Sequence, residues 1–377
     1  MRNKDLIMIS GLLLASSVLA GFAKPESLNS FEPVKENVKI YGRTAYDDGS
    51  LWLGLSGTGI GFTFTGTKVE IDVHPDEAPA SEDEGERLLL YADGEVKQDV
   101  ILSGRRAQTI KAGLADGTHT IRLIKASECQ HGTAKIDVIR TDSKKISPEK
   151  KGDHTIEFIG DSITCGYAVE SVDTDDGFAL SQENVTKTYA FRTAEHFNAD
   201  ASFVAYSGYG VISGYTSNPS KRDDGRQMKD FYERTGHCSA KMDGKSIDRI
   251  KWEFREDPEL IVINLGTNDS FYFEDDAKKR DEFVEGYVNL LKLVHEKNPS
   301  SYILVADGFY GKDIHELTKR AAKEYAKETK DERISSYLLR PVDKKKDGEA
   351  GDGHPTQVSH DKAVPGLVFK IVQVMGW

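Results

Sequence analysis

The sequence is poor in cysteine, has no surplus of positive charge and holds no long apolar run beyond its start. Cys129, Cys165 and Cys238 are the three cysteines among 377 residues. An odd and small number excludes a disulfide framework, and one bridge stays open with no pairing indicated. No Cys-x-x-Cys or His-x-x-x-His spacing occurs, so spacing points to no metal site. The formal net charge is −12. That balance argues against nucleic acid, because binding phosphates needs surplus Lys and Arg, and against docking on anionic lipid. It suits a soluble protein that meets neutral ligands.

The single apolar run raises the question of a membrane. MRNKDLIMISGLLLASSVLAGFAKPES begins with Arg2 and Lys4, continues apolar from Leu6 to Leu19, and offers small residues at Gly21 and Ala23. This reads as an export signal over residues 1–23, cut before Lys24. The run is short for a span and is diluted by Ser10, Ser16 and Ser17. In LAGF, Phe22 stands where a lipid-bearing cysteine would be needed. The expectation is an exported protein, periplasmic or extracellular, with no membrane association once the signal is gone.

What is present falls into two textures. Residues 24–145 carry short β-type segments separated by turns, among them GFTFTG and KVEIDV with period-two alternation. Asp-Gly and Thr-Gly pairs punctuate them as hairpin turns do. An all-β sandwich of jelly-roll type follows. Residues 141–153, TDSKKISPEKKGD, read as a linker. Over 146–377 apolar strands (IEFIG, ASFVAYS, LIVINLG, YILVADG) alternate with amphipathic helices near 188–198, 281–297, 313–329 and 361–374. Continuous apolar strands separated by helices predict an α/β domain with a parallel sheet covered on both faces. Sites in such sheets form at the carboxyl ends of strands. Ser162, Gly208 and Asn268 each follow one of these strands.

GDSIT around Ser162, SGYG around Gly208, GTND around Asn268 and DGHP around His354 occur in this order. Together they resemble the SGNH (GDSL) hydrolase superfamily, and the preceding β-domain, with GDSITCGYAVE, MKDFYERTG and DGHPTQVSH, is similar to carbohydrate esterase family 2. The resemblance covers nearly all of the mature chain. It implies a flavodoxin-like sheet and removal of O-acetyl groups from plant-wall polysaccharides such as xylan and glucomannan. It implies neither metal nor cofactor. Its partner would be an acetylated polysaccharide or oligosaccharide.

Ester hydrolysis needs a nucleophile, a base and donors for the developing oxyanion. The resemblance makes Ser162 the nucleophile and His354 the base. The backbone N–H groups of Ser162 and Gly208 and the side chain of Asn268 would be the oxyanion donors. A Gly-x-Ser-x-Gly elbow is absent, which argues against an α/β-hydrolase. One departure stands out. The superfamily's Asp-x-x-His would place Asp at 351, where this chain has Gly351, and the nearest acid is Asp352. Either Asp352 orients His354 as the third catalytic member, or a backbone carbonyl near 351 does and the machinery is a dyad.

Several aromatics flank these motifs: Tyr209, Tyr215, Phe231, Tyr232, Phe271 and Tyr272. Sugar rings stack on aromatic faces, and Tyr209, Tyr232 and Asp269 are taken as substrate-binding residues. Residues 217–245 form a long charged run, either a flexible insertion or a wall of the cleft. The β-domain either binds sugar or braces the hydrolase domain, and the short linker favours bracing. Two other functions fit the same residues: esterase action on another short acyl group, and carbohydrate binding without catalysis. Oligomeric state is not indicated.

Overall fold

The computed structural model describes residues 28–377 except 79, 80, 82, 103, 105, 176 and 311. The expected export signal lies outside the described residues. Among the described residues, no helix is long and apolar enough to cross a membrane.

The alternating segments become antiparallel strands. Gly59–Pro75 and Gln108–Lys125 are the longest and pair along most of their length. Their register shifts between Gly66 and Lys68. There the amides of Thr67 and Lys68 donate to the Asp142 carboxylate at 2.8 and 3.2 Å, so the bulge leaves neither donor unpaired. The path runs Thr44–Asp47, Ser50–Leu53, Ala134–Thr141, Gly59–Pro75, Gln108–Lys125, Glu86–Ala92, Glu95–Leu102, with three short strands attached. The expected all-β domain is therefore one ten-stranded sheet, curled as a half-barrel around Phe62, Ile71, Leu88, Leu123 and Ile136. Ile146–Pro148 pairs with Gly59–Pro75, so this sheet takes in residues beyond the expected boundary at 145.

The second domain has five parallel strands in the order Ala199–Ala205, His154–Gly160, Leu260–Asn264, Tyr302–Asp307, Ile334–Leu338. This is the flavodoxin-like order. Alternate residues feed two cores. Phe158, Val262 and Leu304 pack under Tyr189–His196 and Gln357–Met375. Ile159, Ile263 and Val305 pack under Ala277–Lys297 and Lys312–Thr329.

The half-barrel shares the second of these cores. Trp52, Leu55 and Cys129 are buried in it, so Trp52 faces no ligand. Arg43, 1% exposed, makes a bidentate pair with Glu157, 5% exposed, at 2.9 Å. Tyr232 donates its hydroxyl to the same carboxylate at 2.9 Å. The charged run 217–245 bridges the domains: Glu77 N–H donates to Lys241 O at 2.7 Å, and Lys135 holds Asp47 and Asp243 at 2.8 Å each. All three cysteines are buried and free. Arg43→Ala would leave Glu157 buried without its cation, a loss of about 3–5 kcal/mol. The expected outcome is a clear drop in thermal midpoint, read by circular dichroism, against little change for the exposed pair variant Lys97→Ala.

Candidate active site

The sheet order explains how distant motifs meet. The three strands that precede Gly208, Ser162 and Asn268 are neighbours, with the Ser162 strand in the middle. All three residues therefore emerge at one carboxyl edge, beside the point where the strand order reverses. Gly160 ends the middle strand, and a Cβ there would lie 2.1 Å from Thr164 Oγ1. Only glycine lets the chain turn so tightly into Ser162. Asp161 caps the turn by accepting from Ile163 N–H at 3.1 Å. Its full burial pushes its carboxyl up to about 7.

Ser162 is 8% exposed, and its Oγ lies 2.8 Å from His354 Nε2. His354 comes from the segment just before the last helix, Gln357–Met375. Its Nδ1 lies 3.2 Å from Gly351 O. A carbonyl can only accept, so Nδ1 carries the proton and Nε2 offers its lone pair to the serine. Burial pulls the His354 pKa down, against the Gly351 hydrogen bond and the nearby Asp352 charge, which raise it. A neutral imidazole beside a hydroxyl can accept that proton.

The expectation for Asp352 is corrected. Asp352 sits at φ +52 in a tight 3₁₀ turn, Gly351–Gly353. Its carboxylate accepts from Tyr167 Oη at 2.7 Å. The backbone alternative is the one present, with the Gly351 carbonyl on Nδ1. The ring of Tyr167 lies 4.3 Å from the His354 ring, centroid to centroid.

Gly208 has φ +82, and a Cβ there would lie 2.8 Å from Arg226 Nη1. Asn268, 7% exposed, donates from Nδ2 to Tyr209 O at 2.7 Å and lies 3.5 Å from Asp161 Oδ2. Ser162, Gly208, Asn268 and His354 thus share one edge.

The three expected substrate contacts are not at the surface. Tyr209 is 1% exposed and Tyr232 0%. The Tyr232 hydroxyl sits between Glu157 and Asn298, where it serves the domain junction. Asp269 is fully buried and accepts from the N–H groups of Val211, Ile212 and Ser213 at 2.7–3.0 Å. It pins the Gly208 loop from behind; burial still raises its carboxyl to about 6. The aromatics that do face outward are Tyr215, 44% exposed, and Phe271, 46% exposed. Their rings meet edge to face at 4.8 Å, and Tyr215 N–H donates to Gly208 O at 2.8 Å. Tyr310, 38% exposed, donates its hydroxyl to Gly353 O at 2.7 Å.

Other histidines are committed elsewhere. His360 is buried and accepts from Tyr189 N–H at 3.1 Å. His315 faces Asp307, and His237 faces Asp248. Among the described residues, Glu128, His131 and Glu183 form the cluster compact enough to hold a metal ion, their ligand atoms lying within 4.8 Å of one another. Burial would lower the His131 pKa, but Glu128 and Glu183 push it up to about 9. Burial and the neighbouring Glu128 raise Glu183 to about 8.

The fold and the four motifs are those of an SGNH-type hydrolase. The chain belongs to the GDSL-like lipase/acylhydrolase family, whose model matches residues 158–362. A model described as carbohydrate esterase 2 N-terminal matches residues 40–149. Relatives include the cellulase/esterase CelE of Acetivibrio thermocellus, 29% identical over 71% of this chain and 31% of that protein. The chain thus spans less than a third of CelE. An acetylxylan esterase / glucomannan deacetylase of Cellvibrio japonicus is 23% identical over 90% of each chain. A solved family two carbohydrate esterase of Clostridium thermocellum, in complex with cellohexaose, superposes with a TM-score of 0.77 at 25% identity, over 90% of this chain and 99% of that one. These matches bear out the resemblance to carbohydrate esterase family 2.

Proposed function

We propose that this chain is an exported esterase that removes O-acetyl groups from plant-wall polysaccharides, xylan or glucomannan, through an acyl-enzyme on Ser162. The observation that carries the reading is the 2.8 Å contact from Ser162 Oγ to His354 Nε2. His354 takes the serine proton as Oγ attacks the acetyl carbonyl, then passes it to the departing sugar hydroxyl. Water, activated by the same imidazole, releases acetate. The Ser162 and Gly208 N–H groups and Asn268 Nδ2 receive the oxyanion. One relative is named an acetylxylan esterase / glucomannan deacetylase and another a cellulase/esterase, and this supports the same ester class here.

Tyr215 and Phe271 give the sugar an aromatic face beside the Gly208 loop. Tyr215→Ala is expected to raise KM for acetylated polysaccharide by about 3- to 10-fold, the scale of one aromatic stacking contact. KM for p-nitrophenyl acetate, which has no sugar, stays within about twofold by the same argument. Acetate release from acetylated xylan and glucomannan by the wild-type protein tests the reading itself. A folded protein that hydrolyses p-nitrophenyl acetate but neither polymer points to another short acyl ester. One that hydrolyses nothing but binds the polymer is the non-catalytic carbohydrate binder.

A further inference from the structure

We propose that the loop at residues 128–131 of the half-barrel positions both halves of the catalytic machinery, leaving the α/β domain catalytically incomplete without the β-domain. The proposal rests on the esterase reading above.

Ser207 immediately precedes Gly208, and both of its backbone polar groups are held from the other domain. Its N–H donates to Glu128 Oε2 at 2.9 Å. Its carbonyl accepts from Gln130 Nε2 at 2.9 Å. Gln130 Nε2 also donates to Glu128 Oε2 at 2.8 Å, tying the two side chains together. The Ser207 carbonyl and the Gly208 N–H belong to one planar trans peptide and point in opposite directions. Fixing the carbonyl on Gln130 therefore fixes where the Gly208 N–H aims, toward the oxyanion.

Glu128 is fully buried and touches no solvent, so it acts through the loop and not on substrate. Burial would raise its carboxyl. The neighbouring His131 and the hydrogen bonds from Gln130 and Ser207 outweigh burial and hold it below its ordinary value. Its own N–H donates to Glu183 of the α/β domain at 3.0 Å. His131, 3.6 Å from Glu128 Oε1, leads to the other half of the site through rings. It stacks on Phe178 at 4.1 Å, Phe178 meets Tyr167 at 4.8 Å, and Tyr167 meets His354 at 4.3 Å. One short loop thus backs the oxyanion donor with hydrogen bonds and the imidazole with a continuous file of rings.

Oxyanion donors act on charge that exists only in the transition state, so misplacing one lowers kcat and spares KM. The test uses the full chain with p-nitrophenyl acetate and compares Glu128→Ala, Glu128→Gln and Gln130→Ala, with Ser162→Ala alongside. A boronic acid, which forms a tetrahedral adduct at serine, serves as the transition-state probe. Glu128→Ala and Gln130→Ala are expected to lower kcat by about 10- to 100-fold, the cost of a misplaced reacting geometry. KM should stay within about twofold, and the boronate Ki should rise by the same factor as kcat falls. Glu128→Gln, whose amide oxygen can still accept from Ser207 N–H, should recover most of the loss. Folded Glu128→Ala and Gln130→Ala proteins with unchanged kcat would overturn the proposal, as would a kcat loss with an unchanged boronate Ki. If Glu128→Ala does not fold, the half-buried Gln130 decides alone by the same criteria. Activity surviving in Ser162→Ala would remove the esterase reading itself, an outcome distinct from intact Ser162 dependence with indifferent loop variants.

Discussion

Ser162→Ala is expected to lower kcat for acetate release by about a millionfold, the scale seen when one member of a nucleophile–base unit is lost. The reason is chemical. Among the described residues, the hydroxyl 2.8 Å from His354 Nε2 has no neighbour that can replace it. Cys165 is fully buried, and burial drives its thiol well above the usual range, so no thiolate stands in. Stability should barely change, because the substitution removes one hydrogen bond worth about 1 kcal/mol. A pH-stat assay beside a thermal melt separates the two effects. A double variant, Ser162→Ala with His354→Ala, should lose little more than either single one, since each alone disables the same unit. A surviving rate within about 10-fold of wild type, against that millionfold expectation, would sink the assignment of the whole edge.

What could be read from the sequence was whatever burial on both faces imposes. Leu260–Asn264 is buried at every residue, and so LIVINLG shows as an unbroken apolar run. The edge strand Ile334–Leu338 is half-buried throughout and carries Ser335 and Ser336, and no run marks it. The helix Thr267–Phe273 escaped too: TNDSFYF has no helical apolar period, and Gly266 at φ +125 begins it. At the site, adjacency along the chain identified the right loops but not which way each side chain turns. Asn268 reaches the edge, while Asp269 beside it turns into the core to hold three amides. Tyr215 faces out while Tyr209 on the same loop faces in. Glu128 left no trace in sequence because the amide it holds is 79 residues away. Its neighbours give no motif, only a buried carboxylate whose purpose appears once both domains are in place.

The sharpest consequence concerns the residue that orients the imidazole. In a triad with a carboxylate on Nδ1, removing the acid costs about 10⁴-fold in kcat. Here Nδ1 faces the Gly351 carbonyl at 3.2 Å, and the Asp352 carboxylate is occupied by Tyr167. Asp352→Asn is therefore expected to keep kcat within about 10-fold of wild type, against the roughly 10⁴-fold loss of a triad acid, while His354→Ala falls with Ser162→Ala. The pH profile adds a signed test. The base works when neutral, and burial places the His354 pKa below the ordinary 6.5. Activity should stay level through pH 7 and fall only on the acid side of 6.5. The Asp352 charge is one of the influences raising that pKa. Removing it should move the acid limb of kcat/KM further toward low pH, with little change in the plateau. A triad acid would behave otherwise: its loss would collapse the plateau, because the imidazolium formed in the transition state would lose its counter-charge. Measuring kcat/KM from pH 4 to 8 for wild type and Asp352→Asn separates a dyad held by a backbone carbonyl from a triad in one experiment.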